Sequence, residues 1–193
     1  YHDASGRQIR TDMPDGTFTK VEFTPWLSTV WDANDTVLEA NNAWYLSNSN
    51  GTVAQKRAAR LSGAHAHTPA VVHYDGLGRE VLAIVHNRTD GIDEKHVTYA
   101  KLDTEGKPMW IQDARMNRVM EYINTPGATS GYAPCYDIAG NLLFQHSMDA
   151  GERWMIMDSN GQPFYAWNEN EKIVGTENVQ ENKVMKSVYD VFH

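Results

Sequence analysis

Tyr74-Asp75-Gly76-Leu77-Gly78-Arg79 is the stretch that decides the fold. Its frame returns as His2-Asp3-Ala4-Ser5-Gly6-Arg7, Leu102-Asp103-Thr104-Glu105-Gly106-Lys107, Tyr136-Asp137-Ile138-Ala139-Gly140-Asn141 and Met157-Asp158-Ser159-Asn160-Gly161-Gln162. An aspartate side chain accepts a hydrogen bond from the backbone two residues on and so nucleates a turn. A glycine three positions later supplies the positive φ with which short hairpin loops close. The flanks are strand-like: Ala70-Val71-Val72-His73-Tyr74 before the central copy, Glu80-Val81-Leu82-Ala83-Ile84-Val85 after it. Cys135-Tyr136 and Leu142 to His146 flank the fourth copy, and Arg153 to Met157 and Pro163 to Trp167 flank the fifth. β-branched and aromatic runs bounded by turn residues predict strands. Recurrence of one unit predicts a repeat array, here an all-β chain of repeated antiparallel β-hairpins.

Working outward, spacing between copies is uneven, and only the copies at Asp3 and Asp75 end in Gly-Arg. Degenerate units are expected at Pro14-Asp15-Gly16-Thr17, around Asp32 to Val37 and from Asp113 to Arg118. The hairpin rhythm breaks between Asp32 and Gly63, where Ser47-Asn48-Ser49-Asn50-Gly51 reads as loop. Thr52 to Leu61 reads as the one short helix, with Thr52 as cap and an end at Gly63. The expectation is one sheet segment over residues 1–193 with a loop-helix insertion around residues 38–64. Lys56, Arg57 and Arg60 on that helix read as a solvated basic face, with docking as the sharper alternative.

Composition narrows the function. A chain 41% hydrophobic and 22% charged is that of a folded protein, and 193 residues suffice to bury a core. The net charge of −8 argues against nucleic acid as a partner, since phosphate attraction needs a basic face. No apolar run is long enough to span a bilayer. The single cysteine, Cys135, precludes an intrachain disulfide and reads as a buried thiol.

Chemistry-bearing constellations are weak. His65-Ala66-His67 with His73 has the alternation that puts two imidazoles on one strand face, but neither ligand count nor spacing suits zinc. A glycosidase needs two carboxyls across a cleft, whereas these aspartates are already explained by their turns. No Gly-x-Ser-x-Gly elbow is present, and Pro126 to Gly131 is a loop without the lysine of a phosphate cradle. Catalysis, cofactors and metals are therefore not expected. Carbohydrate binding is the main rival class, because Trp26, Trp31, Trp44, Tyr45, Trp110, Trp154 and Trp167 are candidate stacking rings. In Trp154-Met155-Ile156-Met157 both strand faces are apolar, which predicts burial on both sides instead.

The phrase at Tyr74 to Arg79 resembles the tyrosine-aspartate repeat of the RHS/YD-repeat proteins. Thr68 to Arg79, and Phe23-Thr24-Pro25-Trp26 running on to Trp31-Asp32-Ala33-Asn34-Asp35-Thr36-Val37, resemble the form found in the B component of insecticidal Tc toxin complexes. The likeness extends to Val188-Tyr189-Asp190-Val191-Phe192-His193. It implies a β-sheet spiralling into a hollow shell around a toxic polypeptide, secreted as part of a toxin assembly. Implied partners are flanking repeat segments or a partner shell chain, and the enclosed toxin. No stretch matches the family's self-cleaving core, so an internal slice of a larger protein is expected. Cell-surface adhesion, as in the related teneurins, and carbohydrate binding are the alternatives that the resemblance leaves. The residues it assigns to the repeat turn are Asp3, Gly6, Arg7, Tyr74, Asp75, Gly78, Arg79, Asp103, Gly106, Tyr136, Asp137, Gly140, Asp158 and Gly161. Within that turn, Arg7 and Arg79 are expected to hold their aspartates by charge-assisted hydrogen bonds.

Overall fold

The computed structural model describes residues 1–124, 133–169, 171–174, 177–180 and 182–190. The glycine-rich loop expected from Pro126 to Gly131 lies outside them, as do residues 191–193. The chain divides into two units, Tyr1–Tyr99 and Ala100–His193.

In the first unit β1 (Arg10–Asp12), β2 (Phe18–Phe23), β3 (Leu27–Trp31), β4 (Ala70–Tyr74), β5 (Glu80–Thr89) and β6 (Ile92–Leu102, which crosses the division) follow one another as antiparallel neighbours. Between β3 and β4 come α1 (Ala43–Ser49) and α2 (Val53–Gly63). The second unit contains β7 (Pro108–Gln112), β8 (Arg118–Glu121), the ribbon of β9 (Ile123–Asn124) and β10 (Ala133–Pro134), β11 (Phe144–Ser147), β12 (Gly151–Met157) and β13 (Pro163–Glu169). It continues through the ribbon of β14 (Glu171–Val174) and β15 (Glu177–Gln180) to β16 (Lys183–Lys186). There the antiparallel order is β7-β8-β11-β12-β13-β16.

Two helices stand where the sequence predicts one. Thr52 caps α2 in a capping box with Gln55, its side chain accepting from Gln55 N. α1 begins within the expected insertion but runs through Ser47 to Ser49, which read as loop. Its composition is poor for a helix, and side chains supply what propensity does not. Asn42 Oδ1 accepts from Tyr45 N at 2.9 Å, while Asn48 Nδ2 donates to Trp44 O and Asn50 Nδ2 to Leu46 O, at 2.8 and 3.0 Å. A first-turn N–H and the Leu46 carbonyl near the end of this short helix are thereby satisfied.

The tightest packing lies where the insertion returns to the first sheet. Val37, Thr36 and Asn42 are fully enclosed, and Phe18, Ala59 and Ala66 are buried as well. The buried polar groups are bonded: Thr36 Oγ1 donates to Phe18 O at 2.5 Å, and Asn42 Nδ2 to Thr36 O at 3.2 Å. Asp35 accepts from Asp32 N, Thr68 N and Thr68 Oγ1. Residues 32–37 are therefore a plug under the insertion, not the degenerate hairpin expected there. In the second unit Ile123, Cys135 and Phe144 are buried, and Cys135 is in no disulfide. The two-sided burial expected of β12 is not seen at Ile156, which is exposed.

Candidate functional site

The repeated element is one turn with one hydrogen-bond plan. At the central copy Asp75 N donates to Arg79 O at 2.8 Å and Gly78 N to Asp75 O at 3.0 Å. Asp75 Oδ1 accepts from Leu77 N and Arg79 N at 2.9 and 3.0 Å, and Arg79 Nε closes onto Oδ2 at 2.7 Å. Asp3 and Arg7 repeat the plan, with Ser5 N and Arg7 N on Oδ1 and Arg7 Nε on Oδ2 at 2.7 Å. Asp103 takes Glu105 N and Lys107 N, Asp137 takes Asn141 N, and Asp158 takes Asn160 N and Gln162 N. At the third position on, Gly6, Gly78, Gly106, Gly140 and Gly161 all have φ between 76° and 93°. That is the left-handed region, where a side chain costs about 1–2 kcal/mol.

Strand register is set by these turns. In four copies the residue before the aspartate pairs with the residue after the loop: His2 with Gln8, Tyr74 with Glu80, Tyr136 with Leu142 and Met157 with Pro163. Gln112 with Arg118 follows the same rule around Asp113, although no glycine is present there. Asp12 with Phe18 does so around Gly16, a related loop in which Asp15 Oδ1 accepts from Thr17 N.

The carboxyls at Asp3, Asp75 and Asp113 are held below the usual carboxylate range chiefly by the backbone N–H at the loop's end. Asp137 is lowered first by the Asn141 side chain. Such groups are ionised acceptors with their lone pairs engaged, which suits a turn and not proton transfer.

The tyrosine of the repeat has a role that local sequence does not reveal. Tyr136 Oη donates to Pro108 O at 3.0 Å and Tyr189 Oη to Pro163 O at 2.8 Å. In both cases the acceptor is the second residue after the glycine of the preceding Asp-x-x-Gly loop and the first of the strand that follows it. Tyr74 Oη meets Ser28 Oγ at 3.0 Å on β3. Each tyrosine is thus tied to an earlier strand. Desolvation pushes the Tyr136 phenol up to about 12, so this latch stays protonated through neutral pH.

The other expectations resolve differently. His65 and His67 lie in the turn after α2 and not on a strand, His67 with φ of 62°. Among the described residues no group of three His, Cys, Asp or Glu side chains is placed to hold a metal ion. The rings proposed for stacking are largely covered. Lys20 sits 4.5 Å over Trp31, Arg118 sits 4.4 Å over Trp110, and Trp154 stacks on Trp167 with centroids 6.1 Å apart. Trp26, 60% exposed, is the one exposed tryptophan among the described residues. No helix among the described residues is long and apolar enough to cross a membrane.

No protein-family model matches the chain, and no curated protein matches it. Solved structures do share its fold. The chain is similar to part of the Tc holotoxin pore of Photorhabdus luminescens, with 20% identity, a TM-score of 0.64 and 98% of this chain covered. It is similar to the crystal structure of TcdB2-TccC3-Cdc42 at 21% identity, TM-score 0.65 and 96% coverage. TcdB2-TccC3 without its hypervariable C-terminal region matches at 22% identity, TM-score 0.63 and 93% coverage. This chain spans 8% of the length of each of those chains. The fold is therefore the repeated antiparallel β-fold found in these toxin structures.

Proposed function

We propose that the chain is a wall segment of an RHS-type β-shell that encloses a toxic effector polypeptide within a secreted toxin assembly. The observation that carries this reading is the fold likeness across nearly the whole chain to Tc toxin structures. The work is containment without catalysis. Regular turns fix the register of the strands, and the tyrosine latches tie one repeat to an earlier one, which together make a stiff wall.

The outer strands support the same reading. Among the described residues β16 pairs on one side only, with β13, and exposes Val184 at 70% and Met185 at 52%. Strand edges of this kind pair with further strands. The partners are therefore flanking repeats or a second shell chain, with the effector inside. The covered rings remove the main argument for carbohydrate. The test is protease challenge of the intact protein that contains this segment. The enclosed polypeptide should resist cleavage until the wall is unfolded. Cleavage at the rate of the same polypeptide free in solution would refute containment.

A further inference from the structure

The two-helix insertion has a fixed underside and an unoccupied outer side. Asn42, Asp35 and the buried Ala59 hold it to the sheet, yet α1 buries no residue and α2 only Ala59. Helices this short draw most of their stability from packing, which here comes from each other and from the sheet beneath. Val53 and Leu61 are 87% and 52% exposed. Between the helices lies a groove of about 480 Å³ with Leu38, Tyr45, Ala59 and Gly63 along it and Lys56 and Arg60 on α2 beside them.

The charges decide what fits. Among the described residues Arg7, Arg10, Arg79, Arg88 and Arg118 each lie against a carboxylate, whereas Lys56, Arg57 and Arg60, like Lys95, Lys101, Arg115 and Arg153, form no ion pair. A chain of net charge −8 thus places two of these cations, Lys56 and Arg60, on the rim of a groove whose floor includes Leu38 and Tyr45. We propose that this groove docks an acidic segment of a partner protein, an apolar side chain seated over Leu38 and Tyr45 and its carboxylates against Lys56 and Arg60. Complementary charge of this kind steers association and fixes register. A lipid surface fits less well, because surface-binding helices present a broad apolar face to the bilayer and this insertion offers a slot between two helices with cations along one rim. The inference does not rest on the wall reading.

The experiment titrates the full chain against a panel of labelled peptides, each with one Leu or Phe flanked by Glu at helical or extended spacing, and reads fluorescence anisotropy. At least one peptide should bind saturably and weaken with salt. Lys56→Glu/Arg60→Glu should lower its affinity about tenfold, the neutral Lys56→Gln/Arg60→Gln less so, with unchanged circular dichroism. Gly63→Leu should also weaken binding by filling the slot, since a Cβ there meets Leu38 at an ordinary 3.5 Å. Four results would overturn the proposal: no saturable binding by any peptide, equal affinity in the charge-reversed chain, binding confined to phosphatidylserine vesicles, or a self-association abolished by charge reversal.

Discussion

The loop at Asp75 and the loop at Asp113 are built to one plan with different residues at the tightest point. Both aspartates accept two backbone N–H groups on Oδ1, and both loops close with the aspartate N–H on the carbonyl four residues on. At the left-handed position the first has Gly78 with φ of 76°, the second Met116 with φ of 68°. The partner on Oδ2 is Arg79 at 2.7 Å in the first and Asn117 at 3.3 Å in the second. The aspartate is what these two loops share, whereas the loop at Gly16 makes the same backbone closure with Met13 in that place and takes its carboxylate from Asp15. Glycine removes strain, and the last residue adjusts how firmly the carboxylate is held.

This contrast is open to direct attack. The largest effect is expected from Gly78→Val, which places a β-branched side chain where the Asp113 loop tolerates an unbranched one. Thermal unfolding should show a loss of about 2 kcal/mol, because the strain of the left-handed region is greatest for branched residues. Unchanged stability would mean that the loop relaxes to another conformation. Acid should act on both loops together. Their carboxyls titrate below the unfolded range in the folded chain, so their contribution is complete above about pH 4 and is lost as pH falls through the folded values. The unfolding midpoint should stay level from neutral pH down to that point and then drop. A midpoint insensitive to acid would contradict the hydrogen-bond plan. The smallest effect is the converse substitution, Met116→Gly. It should stabilise by about 0.5 kcal/mol, relief of left-handed strain outweighing the added freedom of the unfolded chain.

The same pair shows what sequence can and cannot disclose. Asp-x-x-Gly carries its own geometry, so the hairpins and most strand positions are legible from Asp3, Asp75, Asp103, Asp137 and Asp158. The Asp113 loop is visible only as a weakened copy, because its positive φ sits on a methionine. α1 was hidden because its stability comes from Asn42, Asn48 and Asn50 bonding to the backbone, and those residues ordinarily signal loops. The tyrosine latches were hidden for a different reason. Their acceptors, Pro108 and Pro163, are 28 and 26 residues away, and only the folded register brings them within reach. Covering of Trp31 and Trp110 by cations is likewise a cross-strand event that ring content alone does not forecast.

The central claim is that this chain is a segment of wall with strand edges made for further strands. Light scattering coupled to size-exclusion chromatography tests it most directly, comparing the chain with a Val184→Lys/Met185→Glu variant whose β16 is charged. The account predicts concentration-dependent association of the unmodified chain and its suppression in the variant, with the same circular dichroism. A monomer at every concentration, unaffected by the edge charges, would contradict it and favour a self-contained module.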